Sequence, residues 1–161
     1  EDAQNVHIRL IGRATFACSE SLRDYGCQAV DRQVPNIRVD LSGCEHMDST
    51  ILGVLARIGL RARKHGLNVE VVNASDHQRQ QLSGLGLTKL FVLSRTEENR
   101  SDWEALCRTT REDQNPKALT TERTVLDAHE ALMDLDPENI PRFRDVVDYL
   151  KQDIKRLESE S

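Results

Sequence analysis

Ser49 and Thr50 are adjacent hydroxyls directly behind Asp48, where a run that reads as a buried strand meets one that reads as a helix. The surrounding passage, VDLSGCEHMDSTILGVL from Val39 to Leu55, also carries Ser42, Cys44 and His46. The pattern places Asp48 or Ser49 at the start of the helix. Four backbone N–H groups lack intrahelical partners there and the macrodipole is positive, so that end attracts anions. A hydroxyl in this place can cap the helix, a contribution of about 1 kcal/mol. It can also accept a phosphate, which brings about −1.5 to −2 charges. Asp48 is most simply an N-cap or dipole partner, and its carboxylate could also bond within the loop or to a partner.

Other chemistries fit this passage less well. Cys44, His46 and Asp48 alternate, and that spacing can put three side chains on one side of an extended segment. No further ligand cluster accompanies them, so no metal site is expected. A neighbouring Cys44 and His46 do not by themselves make an activated nucleophile. The chain has no glycine-rich phosphate cradle of P-loop or Rossmann spacing and no conspicuous pair of acids. Neither an enzyme nor a cofactor is expected. The remaining histidines, His7, His65, His77 and His129, are scattered and read as surface or boundary residues.

The elements that must position Ser49 are legible from periodicity. Residues 6–11, VHIRLI, alternate as a strand with one wet face does, and Gly12 closes the run. A helix follows over ATFACSESLRDYGCQAV, with Cys18, Leu22, Ala29 and Val30 at helical spacing and Gly26 weakening its interior. Pro35-Asn36 breaks the chain and IRVDL, 37–41, is a short β-branched strand. The helix from about Ser49 to His65 carries a stripe of Ile51, Leu55, Ile58 and Ala62, widened by Leu52 and Val54. Arg57, Arg61, Arg63 and Lys64 read as a solvated face, or as one that receives an acidic partner surface. Gly66 suits the C′ position. NVEVV, 68–72, is a strand. Ser75 with Gln78 resembles a capping box opening a helix that ends near Gly84. LTKLFVL, 87–93, is a further strand and SDWEALC, 101–107, a short helix with Ser101 or Asp102 as cap. This β-α alternation predicts an α/β fold: a four- to five-stranded, mixed or mostly parallel sheet with helices packed on it.

The last part of the chain differs. TTREDQNPK, 109–117, has no apolar period and reads as a linker. Val125, Ala128, Leu132 and Leu135 then recur at helical spacing, as do Ile140, Phe143, Val147, Leu150, Ile154 and Leu157. DPENIP separates the two stripes, with Asn139 able to cap and Pro141 tolerated in the first turn. The expectation is a C-terminal α-helical extension, 116–161, a hairpin or a short coiled-coil seam, appended to a domain over 1–115. Charge divides at the same place: residues 1–115 hold 16 acids and 15 bases, residues 116–161 hold 11 acids and 7 bases. The hairpin's seam must be buried against itself, the domain or a second chain, and self-association through 120–158 is one of these options.

Composition bounds the partners. The chain has 161 residues and a net charge of −5, with aromatics at 4% and no basic block. Nucleic acid is therefore not an expected ligand. No apolar run approaches a membrane span and nothing resembles a signal peptide, so a cytoplasmic protein with no membrane role is expected. Glu1 in place of an initial Met leaves room for preceding residues. Cys18, Cys27, Cys44 and Cys107 form neither a zinc motif nor a disulfide framework and read as reduced thiols.

VDLSGCEHMDSTILGVLARI resembles the signature of STAS domains, the family of anti-sigma-factor antagonists, in which a strand ends in an Asp-x-Ser loop and Asp-Ser-Ser/Thr opens a helix. The resemblance extends over residues 6 to about 107 and includes IRLIGRAT, GLNVEVVNAS and LSGLGLTKLF. It implies a STAS-like fold and a non-catalytic partner switch. Such an antagonist binds an anti-sigma factor, often itself a GHKL-type serine kinase, which phosphorylates it; a PP2C-type phosphatase reverses the step. The phosphorylated Ser falls on Ser49, with Thr50 as a secondary acceptor. Asp48 aligns with the preceding Asp and Asp40 with the Asp before the loop. Asp48, Ser49, Thr50, Ser42 and Arg57 are the expected partner-binding residues. One departure is Ile51, where the family usually has Gly, although Leu52-Gly53 persists; a branched residue there would restrict a kinase's approach. The alternative reading is a STAS scaffold in a larger assembly, its tail driving oligomerisation.

Overall fold

The computed structural model describes residues 5–96 and 118–160. Four strands, β1 (Asn5–Ala14), β2 (Asn36–Met47), β3 (Val69–Val72) and β4 (Phe91–Ser94), form one sheet in the order β1-β2-β3-β4. All three pairings are parallel. Between the strands lie α1 (Ser19–Asp31), α2 (Ser49–Lys64) and α3 (Asp76–Gly84). Crossovers between parallel strands are right-handed, so stepping always in the same direction across a sheet puts every connecting helix on one face. Strand burial agrees. Ile8, Leu10, Ile37, Val39, Val69, Val71 and Phe91 are buried. The other face carries Arg9, Arg38, Asp40 and Glu70, with Val72 and Val92 as its apolar members. On that second face Arg38 Nε lies 2.8 Å from Glu70 Oε2. The Ser94 hydroxyl, and after it the Arg38 guanidinium, hold the Glu70 carboxyl below its ordinary range. The alternation seen in the sequence is thus the mark of a one-sided parallel sheet, whereas a sheet covered on both faces would have continuous apolar strands.

α2 is the middle helix of this layer, and residues on every side of it are buried, including Ile51, Leu52, Val54, Leu55, Ala56 and Ile58. Its outer side is covered by α4 (Ala118–Leu135), which pairs with α5 (Ile140–Ser159). Ala128, Ala131 and Leu132 belong to the same apolar core as the sheet and α2. The expected helical hairpin is present, and it forms a third layer.

Several boundaries differ from the sequence expectation. β2 continues through Met47, pairing Gly43 with Ile11 and Met47 with Ala14 across two register shifts. Residues 87–93 divide into a 3-10 turn, Leu87–Lys89, and β4, because Gly86 turns into the left-handed region at φ 80° and Leu87 is drawn into the core. The capping box at Ser75 is formed, with Ser75 N donating to Gln78 Oε1 at 2.8 Å and Gln78 N to Ser75 Oγ at 3.2 Å. Asn139 makes no side-chain cap. Its amide donates instead to the carbonyls of Leu85 (2.9 Å) and Leu132 (2.8 Å), fixing the hairpin bend to the loop before β4. The expected helix at 101–107 and linker at 109–117 lie outside the described residues.

Candidate functional site: the N-terminus of helix α2

β2 delivers the chain to the end of the sheet, and Asp48 stops it. With φ −86° and ψ 173°, Asp48 is extended and sits at the N-cap of α2. Its two carboxylate oxygens have separate tasks. Oδ1 accepts the Ile51 amide at 2.9 Å, filling one of the orphan donors of the first turn. Oδ2 accepts the Phe16 amide, also at 2.9 Å, and so ties the β1–α1 connection to the start of α2. Asp48→Ala is expected to cost about 1 kcal/mol of stability through the lost cap, and Asp48→Asn also destabilises, because its single amide oxygen can accept from Ile51 or Phe16 but not from both. Urea unfolding of the full chain checks it; equal stability of Asp48→Ala and wild type would contradict the cap.

Ser49 is the first residue of the 16-residue α2 and is half-buried. Its Oγ lies 3.1 Å from Nε2 of His129 in α4. The other ring nitrogen, Nδ1, is 2.8 Å from the Val125 carbonyl oxygen, which only accepts. In the neutral ring the proton therefore sits on Nδ1, and Nε2 accepts the hydroxyl proton of Ser49. The ring also meets Phe143 of α5 edge-on, with centroids 5.2 Å apart. His129 is 4% exposed. The sequence expectation of a surface or boundary histidine is corrected: docking of α4 on α2 buries it. The available signal was its position, four residues after Val125 and beside Ala128 on the apolar stripe.

The remaining expected site residues are distributed unevenly around this point. Thr50 is buried at 6% exposure and Ile51 completely. Ile51 thus points into the core and does not stand in the path of an approaching partner. Asp40 is buried and satisfied: Oδ1 accepts from Ser42 N (2.9 Å) and Asn73 Nδ2 (3.2 Å), Oδ2 from Ser42 Oγ (3.1 Å). It shapes the bulge that leaves Ser42 exposed. Arg57, two turns along α2 from Ser49, pairs through Nη1 with Asp127 Oδ2 of α4 at 3.0 Å. Cys44 is buried while His46 is exposed, so the alternating triplet does not converge. Burial pushes the Cys44 thiol above its ordinary pKa, the opposite of what a nucleophilic cysteine needs. Among the described residues no group of three His, Cys, Asp or Glu side chains is placed to hold a metal ion, and no helix is long and apolar enough to cross a membrane.

The family model described as "Mlab, STAS domain" matches residues 1–94, more than half of the chain. No curated protein sequence matches it. Among solved structures, the anti-sigma factor antagonist SpoIIAA in its unphosphorylated form is similar with a TM-score of 0.50 at 18% identity, over 62% of this chain and 84% of that one. The Bacillus cell fate determinant SpoIIAA in its phosphorylated form is similar with a TM-score of 0.51 at 22% identity, over 60% and 86%. At these identities the structural likeness concerns the fold alone. The family model covers more than half of the chain, and the chain belongs to the STAS domain family.

Proposed function

We propose that this STAS protein is a phosphorylation-controlled, protein-binding regulator of the anti-sigma-factor-antagonist kind, with Ser49 as its phosphoacceptor. The observation that carries the reading is the setting of Ser49: in the Asp-Ser-Thr motif it is the half-buried hydroxyl at the first position of α2, whereas Thr50 is buried. A phosphate on Ser49 lies against a positive helix end. A solved relative of the same fold is described in both an unphosphorylated and a phosphorylated form. The partner in this reading is an anti-sigma factor that is itself a GHKL-type serine kinase, and a PP2C-type phosphatase removes the phosphate. Asp48 holds the loop in shape, Ser42 and Arg57 border the contact, and Thr50, buried behind Ser49, supports the helix start without facing the partner. The chain is then the kinase's substrate and not an enzyme, and it acts in the cytoplasm.

The test is incubation of the full chain with ATP, Mg²⁺ and a GHKL-type serine kinase from the same organism, followed by peptide mass spectrometry. One phosphate on residue 49 and an unlabelled Ser49→Ala chain are expected. Full labelling of Ser49→Ala would overturn the assignment. Ser49→Asp should weaken binding to that kinase at least tenfold while leaving the fold intact, since a carboxylate near a helix N-terminus is favourable by about 0.3–1 kcal/mol. The charge acts at the partner surface by repulsion and desolvation.

A further inference from the structure

Ser49 is not presented to solvent by an empty surface. Three consecutive residues of α4 meet three residues of α2 spaced one turn apart. His129 Nε2 receives the Ser49 hydroxyl at 3.1 Å. Ala128 packs against Gly53 so closely that a Cβ at Gly53 would lie 2.8 Å from the Ala128 Cβ. Asp127 Oδ2 pairs with Arg57 Nη1 at 3.0 Å. Hydroxyl, small-residue notch and cation of one α2 face are each answered by α4. The hairpin is held there from both ends. Arg23 Nη1 of α1 donates to Thr124 Oγ1 (2.5 Å), and Thr121 Oγ1 donates to Glu20 Oε1 (3.1 Å). At the other end Arg142 Nη1 donates to the Gly84 carbonyl at 2.9 Å, and Lys89 Nζ lies 3.5 Å from Asp136 Oδ2.

We propose that α4–α5 is an intramolecular cap on the Ser49 face of α2, and that a docked cap and a phosphate on Ser49 exclude one another. The inference rests on the reading of Ser49 as phosphoacceptor. A phosphoryl group has to extend from Oγ, and His129 Nε2 already occupies hydrogen-bond distance from that atom. His129 is buried, and its ring cannot tilt aside without giving up the Val125 carbonyl and the Phe143 edge, so a phosphoryl group on Oγ meets the ring itself. A partner that reaches Ser49 and Arg57 has to displace the same helix. Asp127 already supplies the acid against Arg57 that a partner surface would bring. Docking of α4–α5 then competes with partner and phosphate alike, and by linkage the exclusion is reciprocal.

Phosphoserine installed at position 49 by genetic encoding in the full chain tests this without any kinase. Hydrogen exchange should accelerate about tenfold or more at amides of 121–135 and 140–157, while amides of 37–41 and 69–72 keep their rates. Ser49→Ala, which removes one hydrogen bond and adds no bulk, should change the hairpin less than threefold. Unchanged or slower exchange in the hairpin would overturn the cap, the slower case meaning that a protonated His129 holds the phosphate. Equal acceleration in the strands would also overturn it, because the phosphate would then be loosening the whole domain. Any of these failures leaves Ser49 standing as a kinase substrate. Failure of a kinase to label Ser49 leaves the exchange result standing.

Discussion

Leu132→Ala is expected to destabilise the full chain by about 2–5 kcal/mol, the range for removing a fully buried leucine side chain. Leu132 is 0% exposed and lies in one apolar core with Ile51, Leu55 and the sheet. Its backbone carbonyl accepts the Asn139 amide that fixes the hairpin bend, so the site cannot collapse freely around the cavity. At roughly 2–4 °C per kcal/mol for a chain of this size, the melting temperature should fall by roughly 4–20 °C. Calorimetry reads the shift directly. A change below about 0.5 kcal/mol, the scale of surface substitutions, would mean that α4 is not packed on α2. Leu132 is the sharpest probe of that packing because the side chain is apolar: no hydrogen bond or charge complicates the loss.

Gly53→Ala should also destabilise, by about 1–3 kcal/mol, although glycine-to-alanine changes inside helices usually stabilise by about 1 kcal/mol through backbone entropy. The reason is what the new methyl meets. At Gly53 it falls on the Ala128 carbonyl oxygen and carbon, which are backbone and move only if α4 moves. Gly26 in α1 is the control. A methyl there falls on Ile58 Cδ1 and comes within 2.9 Å of Cγ1, side-chain atoms near the end of Ile58 that can shift without moving a helix. Gly26→Ala is therefore expected to cost less than Gly53→Ala, even though both glycines are buried in helix interiors. Urea denaturation of the two variants side by side decides it. The reverse order of stabilities would show that the α2–α4 crossing yields more easily than the α1–α2 packing.

Much of the architecture was readable along the chain because its causes are local. Alternation in VHIRLI and IRVDL, the stripe of α2, Gly66 at φ 68° and the Ser75–Gln78 box each depend on a few neighbouring residues. So does the hairpin, whose two stripes reappear as α4 and α5. The helix start at Ser49 was legible for the same reason: an acid and two hydroxyls ahead of an apolar period are a cap signal whatever lies opposite. Boundaries set by long-range pairing were not. β2 runs on to Met47 because β1 supplies partners for residues that carry no strand pattern of their own. Asn139 gives up its cap because Leu85 and Leu132 offer carbonyls in space. The widened stripe of α2 was visible as Leu52 and Val54, but a stripe says that a face is buried and not what buries it. Only the tertiary structure set His129 against Ser49, 80 residues away. That pairing depends on where α4 crosses α2, and the crossing is decided by a glycine and an alanine, side chains too small to leave any periodicity in the sequence.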